Sequence, residues 1–149
     1  MKLIGSEIGA MGMGIPAGVA AALRFPDRQV FSLVGDGGAL MTGSELATAM
    51  AQNAKVRVIV ANNEHYGTIR YHQELHFPTR DHYATKLVNP DFAKYGESFG
   101  LKCFTIEKIE EIIPKIKEAM KVDGPSLIEF KMSLELNTST TTISQLQVK

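Results

Sequence analysis

Four short apolar runs, spaced by segments of helical character, constrain the fold of this chain more than any other feature. Residues 29–34, 56–61, 101–106 and 126–130 are dominated by apolar and β-branched residues and read as strands. Helices fall between them. Residues 14–24 form a small-residue helix with Pro16 in its first turn, where no amide partner is lost. A second runs from about Gly43 to Asn53, opened by the capping-box spacing of Thr42-Gly43-Ser44-Glu45, with Leu46, Ala47, Met50 and Ala51 as its apolar stripe. A third starts at Asn89-Pro90 and ends at Gly100. The fourth, amphipathic, carries Ile109, Ile112, Ile113, Ile116 and Met120, with Pro114 inside its pattern. Residues 64–89, rich in histidine and aromatics, read as part helix and part loop. Strands of this kind are buried on both faces. The pattern predicts an α/β fold, a doubly wound and mostly parallel sheet with helices on both faces. The predicted domain spans 1–132, followed by a polar tail over 133–149 that is expected to pack weakly.

Composition narrows the function. The chain has 149 residues, enough for one domain with a real core. Sixteen basic residues cancel 16 acidic ones, which gives no electrostatic ground for a nucleic-acid or anionic-membrane partner. One cysteine, Cys103, excludes an intrachain disulfide and a cysteine-rich zinc site. It reads as core packing, and a reducing, cytoplasmic setting is expected. Residues 8–23 lack charge, but 16 residues fall short of the ~20 of a membrane span. Glu7, Gly9, Gly12, Gly14 and Gly18 also argue against a signal-peptide core. The segment reads as a glycine-rich loop leading into a buried helix. Nine of the 13 glycines lie between Gly5 and Gly43, where the backbone is expected to approach a ligand closely.

Parallel α/β sheets bind ligands at the carboxyl ends of their strands. Here those ends carry Gly35-Asp36-Gly37-Gly38 and Asn62-Asn63. The glycines let backbone amides converge on an anion such as phosphate. Asp36 would repel that anion unless a divalent cation bridged the two. Magnesium suits one or two carboxylates, neutral oxygens and phosphate oxygens. Asn63 offers an amide oxygen, and if the two strands are neighbours its side chain meets that of Asp36. Taken singly, each motif is equally a turn.

Gly35-Asp36-Gly37, 24 intervening residues and Asn62-Asn63 resemble the thiamine diphosphate-binding motif. The similarity extends through Leu40-Met41, Glu45-Leu46-Ala47-Thr48-Ala49 and Glu64-His65-Tyr66-Gly67. Gly9 to Ala17, Asn89-Pro90-Asp91-Phe92-Ala93 and Gly124-Pro125-Ser126-Leu127-Ile128-Glu129 resemble the acetolactate synthase group. The resemblance implies thiamine diphosphate and Mg2+ as cofactors. It makes Asp36 and Asn63 side-chain magnesium ligands and His65 a carbonyl ligand. Gly37 and Gly38, after Gly35-Asp36, would hold the diphosphate with help from Tyr66-Gly67. Met11 and Gly12 would lie against the aminopyrimidine and its neighbours. It also implies that the chain is one half of a 2-oxo acid decarboxylase or carboligase. A partner pyrimidine-binding domain or subunit would supply the activating glutamate, leaving no catalytic residue in this chain. A homo- or hetero-oligomer and a place in branched-chain amino acid biosynthesis follow from the same likeness.

Two departures bear on substrate. Acetolactate synthases usually carry tryptophan near the substrate seven positions after the carbonyl ligand; here that position is His72. Their Gly-Asp-Gly is usually followed by Ser and an aromatic, whereas Gly38-Ala39 follows here. A substrate or acceptor more polar, or larger, than pyruvate with 2-oxobutyrate is expected. Other readings stay open. The chain could be the small subunit of a split decarboxylase, or a cofactor-binding domain with no activity alone. Gly12-Met13-Gly14-Ile15-Pro16-Ala17 also fits a dinucleotide fingerprint, which needs a strand immediately before Gly12. His72 and His76 have the i, i+4 spacing of a helical zinc pair, or of one exposed helix face.

Overall fold

The computed structural model describes Gly5, residues 8–77 and 82–133, Glu135 and residues 142–147, the last two of these by backbone alone. In chain order the elements are α1 (Gly14–Arg24), β1 (Val30–Gly35), α2 (Asp36–Thr42), α3 (Glu45–Ala51), β2 (Val56–Asn62) and α4 (Gly67–His76). Then come α5 (Phe92–Ser98), β3 (Lys102–Ile106), a 3-10 turn at Ile109–Glu111 leading into α6 (Ile112–Met120), β4 (Ser126–Lys131) and α7 (Ile143–Gln147).

The four strands pair in parallel in the order β1-β2-β4-β3. Side chains alternate across the sheet, so each strand feeds two cores. On one face Ile15 and Val19 of α1, Leu46 and Ala49 of α3, and Phe92 of α5 pack with Val34, Val58, Val60 and Leu127. On the other, Ile112, Ile116 and Ala119 of α6 pack with Ile106, Ile128 and Phe130. This is the doubly wound α/β sheet that the apolar runs predict. The cover over β1 is incomplete: Phe31 and Leu33 are 45% and 74% exposed. The buried Arg57 of β2 donates to the carbonyls of Gly124 and of Val122, the latter at 2.8 Å, and so ties the turn before β4 to the sheet. Among the described residues no helix is long and apolar enough to cross a membrane.

Gly35-Asp36-Gly37-Gly38 ends β1 and passes directly into α2: Gly35 is extended, with φ −72° and ψ 157°, and the helix begins at Asp36. Three local expectations are corrected. The capping box does not form, because the Thr42 hydroxyl donates to the Gly12 carbonyl at 2.6 Å and no side chain caps α3. The buried line of α3 is Leu46 and Ala49, with Ala47 and Ala51 exposed. The tail, expected to pack weakly, carries α7 against α4 with Ile143 buried, and Glu135 accepts from the Ser144 hydroxyl at 2.6 Å. Pro114 sits in the first turn of α6, where its missing N–H has no intrahelical partner to lose. The part of 64–89 at residues 78–81 lies outside the described residues.

Candidate functional site

A cleft with a cavity volume of about 480 Å³ opens at the carboxyl edge of the sheet. It forms there because β1 and β2 run in parallel and in register, Gly35 beside Ala61, so both motifs reach the same edge. Its walls are the loop before α1, the β1–α2 passage and the turn into α4. Met11, Gly12, Gly35, Asp36, Gly37, Gly38, Asn63, His65, Tyr66 and Gly67 all line it. His72 does not: it is exposed on α4, its ring stacked on that of His76 with centroids 5.9 Å apart.

Two glycines of the cleft are closely packed. Gly12 has φ +84°, and a Cβ there would meet Thr42 Cγ2 at 3.1 Å. A Cβ on Gly37 would lie 2.5 Å from the Tyr66 ring. Those two positions are filled by Thr42 and Tyr66, whereas a Cβ on Gly35 would meet nothing within 4 Å, so the backbone there is open to a ligand. Asp36 is 3% exposed. Its Oδ1 accepts from the Gly37 N–H and its Oδ2 from the Asn89 side-chain amide, both at 2.8 Å. A carboxylate has about four lone-pair sites, so these two bonds leave capacity for a cation. With the amide oxygen of Asn63 and the carbonyl of His65, the available donors are hard oxygens, which suit magnesium rather than a soft metal. These residues fit a magnesium–diphosphate group.

The turn after β2 is held from both sides. Asn63 Oδ1 accepts from the His65 N–H at 3.2 Å, and Glu64 takes φ +57° to make the bend. Residues 85–87 strap it through Tyr66 N–H to Thr85 O and Leu87 N–H to Glu64 O, each 2.8 Å. Arg70 of α4 approaches His65 Nε2 at 3.3 Å and the buried Glu74 at 3.6 Å, which fixes the helix start to the turn.

Asn63 follows the last residue of β2 and lines the same cleft as Asp36. A further side chain, Asn62, is linked to Asp36 through Asn89, whose Nδ2 donates to Asn62 Oδ1 at 2.8 Å. Asn62 Nδ2 in turn donates to Glu129 Oε1 at 2.7 Å, and Glu129 is fully buried beside Lys131. That carboxylate raises the Lys131 ammonium above its usual range. Sequence reasoning missed Asn62, Asn89 and Glu129 as members of the site. Asn89 reads locally as a helix start, and only tertiary contact reveals its second role.

The competing motifs resolve differently. Residues 8–13 are turn and coil, so among the described residues no strand immediately precedes Gly12, although the dinucleotide fingerprint requires one. Cys103 lies half-buried under Gly96, and burial pushes its thiol up to about 12, so it stays protonated and unreactive at neutral pH.

A family model described as the C-terminal TPP-binding domain of thiamine pyrophosphate enzymes matches residues 3–130. The chain is 35% identical to the mitochondrial acetolactate synthase of Schizosaccharomyces pombe over 122 residues, 82% of this chain and 18% of that protein. It is 37% identical to the 3D-(3,5/4)-trihydroxycyclohexane-1,2-dione hydrolase of Bacillus licheniformis over 130 residues, 82% of this chain and 20% of the other. Among solved structures, the thiamine diphosphate-dependent 4-hydroxybenzoylformate decarboxylase of Rhodococcus jostii RHA1 superposes with a TM-score of 0.79 at 32% identity. That match covers 85% of this chain and 24% of the decarboxylase. The chain thus spans about a fifth of the length of the relatives it matches.

Proposed function

Because this chain belongs to the thiamine pyrophosphate enzymes as their C-terminal TPP-binding domain, we propose that it is the diphosphate- and magnesium-binding half of a 2-oxo acid decarboxylase or carboligase. The template is the acetolactate synthase large subunit. When bound, thiamine diphosphate supplies the electron sink that lets a 2-oxo acid lose carbon dioxide. The chain's own residues bind and orient. Asp36, Asn63 and the His65 carbonyl hold magnesium. Gly35, Gly37, Gly38 and the Tyr66-Gly67 turn face the diphosphate, and Met11 and Gly12 face the rings. The activating glutamate belongs to a partner pyrimidine-binding domain or subunit. On this reading the isolated chain turns nothing over, and the working enzyme is a cytoplasmic oligomer acting on a small 2-oxo acid. His72 joins the site only where a partner surface closes over α4, and its polarity favours a substrate other than pyruvate with 2-oxobutyrate.

One observation carries this reading. Asp36 is an almost fully buried carboxylate on the wall of a glycine-lined cleft, and both hydrogen bonds to it come from neutral donors. An anionic ligand beside such a group requires a cation between them. In the enzyme assembled with its partner domain, Asp36→Ala is expected to abolish magnesium-dependent cofactor binding, measured by calorimetric titration. Asn63→Ala, which removes a neutral ligand, weakens it less. Unchanged magnesium dependence in Asp36→Ala overturns the assignment.

A further inference from the structure

Resting on the assignment of Asp36 as the metal carboxylate, we infer that Asn89 is a positioning residue that fixes the Asp36 side chain through a buried relay running back to Glu129. Asn89 is 53 positions from Asp36 and precedes a different helix, α5. Its single amide nitrogen serves two acceptors, Asp36 Oδ2 and Asn62 Oδ1, each at 2.8 Å.

The direction of every bond in this relay is forced. Glu129 Oε1, which also pairs with Lys131, is the acceptor here, so Asn62 turns its Nδ2 toward it. That leaves Asn62 Oδ1 as an acceptor, which also takes the Glu64 N–H at 3.2 Å. Asn89 must then present its nitrogen to Asn62 and to Asp36; the flipped amide would set its oxygen against two acceptors. Lys131 Nζ pairs with Glu129 Oε1 at 2.7 Å at the head of the relay.

Geometry gives the relay its effect: one amide nitrogen sits between the Asp36 carboxylate and the Asn62 amide oxygen, so both acceptors are held by the same donor. The consequence falls on Asp36. Held by the Gly37 N–H on one oxygen and by Asn89 on the other, its carboxylate has one orientation before any cation arrives. Groups that orient a metal ligand in this way typically change metal affinity 10–100-fold when removed.

The test uses the enzyme assembled with its partner domain and measures Mg2+ affinity at saturating thiamine diphosphate, and cofactor affinity at saturating Mg2+. Asn89→Ala is expected to weaken Mg2+ about 10–100-fold while leaving cofactor affinity at saturating Mg2+ within about threefold. A purely structural role would lower both affinities together and would overturn the inference. So would wild-type Mg2+ affinity in Asn89→Ala. If instead Asp36→Ala itself keeps its magnesium dependence, the functional assignment fails first, and the two failures are distinct. Should Asn89→Ala not fold, the unmodified protein decides. The Asn89 side-chain amide resonances should be protected from solvent exchange and shift on adding Mg2+ with thiamine diphosphate. Fast-exchanging, unresponsive resonances overturn the inference.

Discussion

Gly37 shows how little room a single position in this cleft has. Its missing Cβ would overlap the Tyr66 ring at 2.5 Å and press on Leu87 at 3.4 Å. Overpacking of this kind costs about 1–3 kcal/mol. Gly37→Ala is therefore expected to lower unfolding stability by that amount, read from urea denaturation, while in a Tyr66→Ala background the same change should cost little. An undiminished cost in that background would mean that the clash is not with Tyr66. The sequence shows a glycine at this position and a reason for bare backbone near phosphate. It does not show Tyr66, 29 positions away, as the atom that enforces it. The same limit hides Asn89. Its neighbours in sequence, Pro90 and the capping Asp91, account for it locally, while its partners are Asp36 and Asn62.

Among the elements, α6 depends on one carboxylate at its entry. Glu111 accepts from the Glu107 and Lys108 N–H groups at 2.9 and 3.3 Å and pairs with Lys115 at 3.0 Å. The Glu107 amide first, and then the Lys115 ammonium, pull its carboxyl down from 4.5 to about 2. A carboxylate with a depressed folded-state value adds stability above its unfolded value and loses it as pH falls. Its contribution should be complete above about pH 4.5 and fade between there and about 2. Glu111→Gln is expected to lower stability at neutral pH and to flatten the acid limb over that window, followed by circular dichroism at stepped pH. An acid limb as steep as in the parent chain would contradict this. Element boundaries follow a related logic. The apolar runs mark β1 to β4 within a residue or two, because strand burial is a local demand. By contrast α2 is opaque, since a helix opening on Asp36-Gly37-Gly38 has poor intrinsic propensity and is held by tertiary contacts of Thr42 and Val34.

Across the whole molecule, the unbalanced feature is the sheet face over β1. Phe31 and Leu33 stand 45% and 74% exposed on the face that α6 covers farther along. In the glycine-rich loop and the start of α1, Ile15 is 1% exposed and belongs to the core, while Met11 remains half exposed. Contiguous exposed apolar surface normally marks an association site. The isolated chain is expected to self-associate in sedimentation velocity, and Phe31→Ser with Leu33→Ser should shift it toward monomer. A parent chain that stays monomeric at high concentration would exclude a role for this face in association.

The pattern of residues along the chain by itself determined the alternation of strands and helices, the parallel sheet, and the two motifs that meet at its carboxyl edge. These follow from preferences each segment expresses locally: apolar runs avoid water and glycines permit tight passages. Only the tertiary structure decided that β4 inserts between β2 and β3, that the tail folds back so that Ile143 is buried, and that Asn62 is tied to Asp36 through Asn89. Those outcomes depend on which distant segments share one volume. That is settled by the handedness of crossovers and by close packing and hydrogen-bond satisfaction across the sheet, quantities no local window of sequence contains.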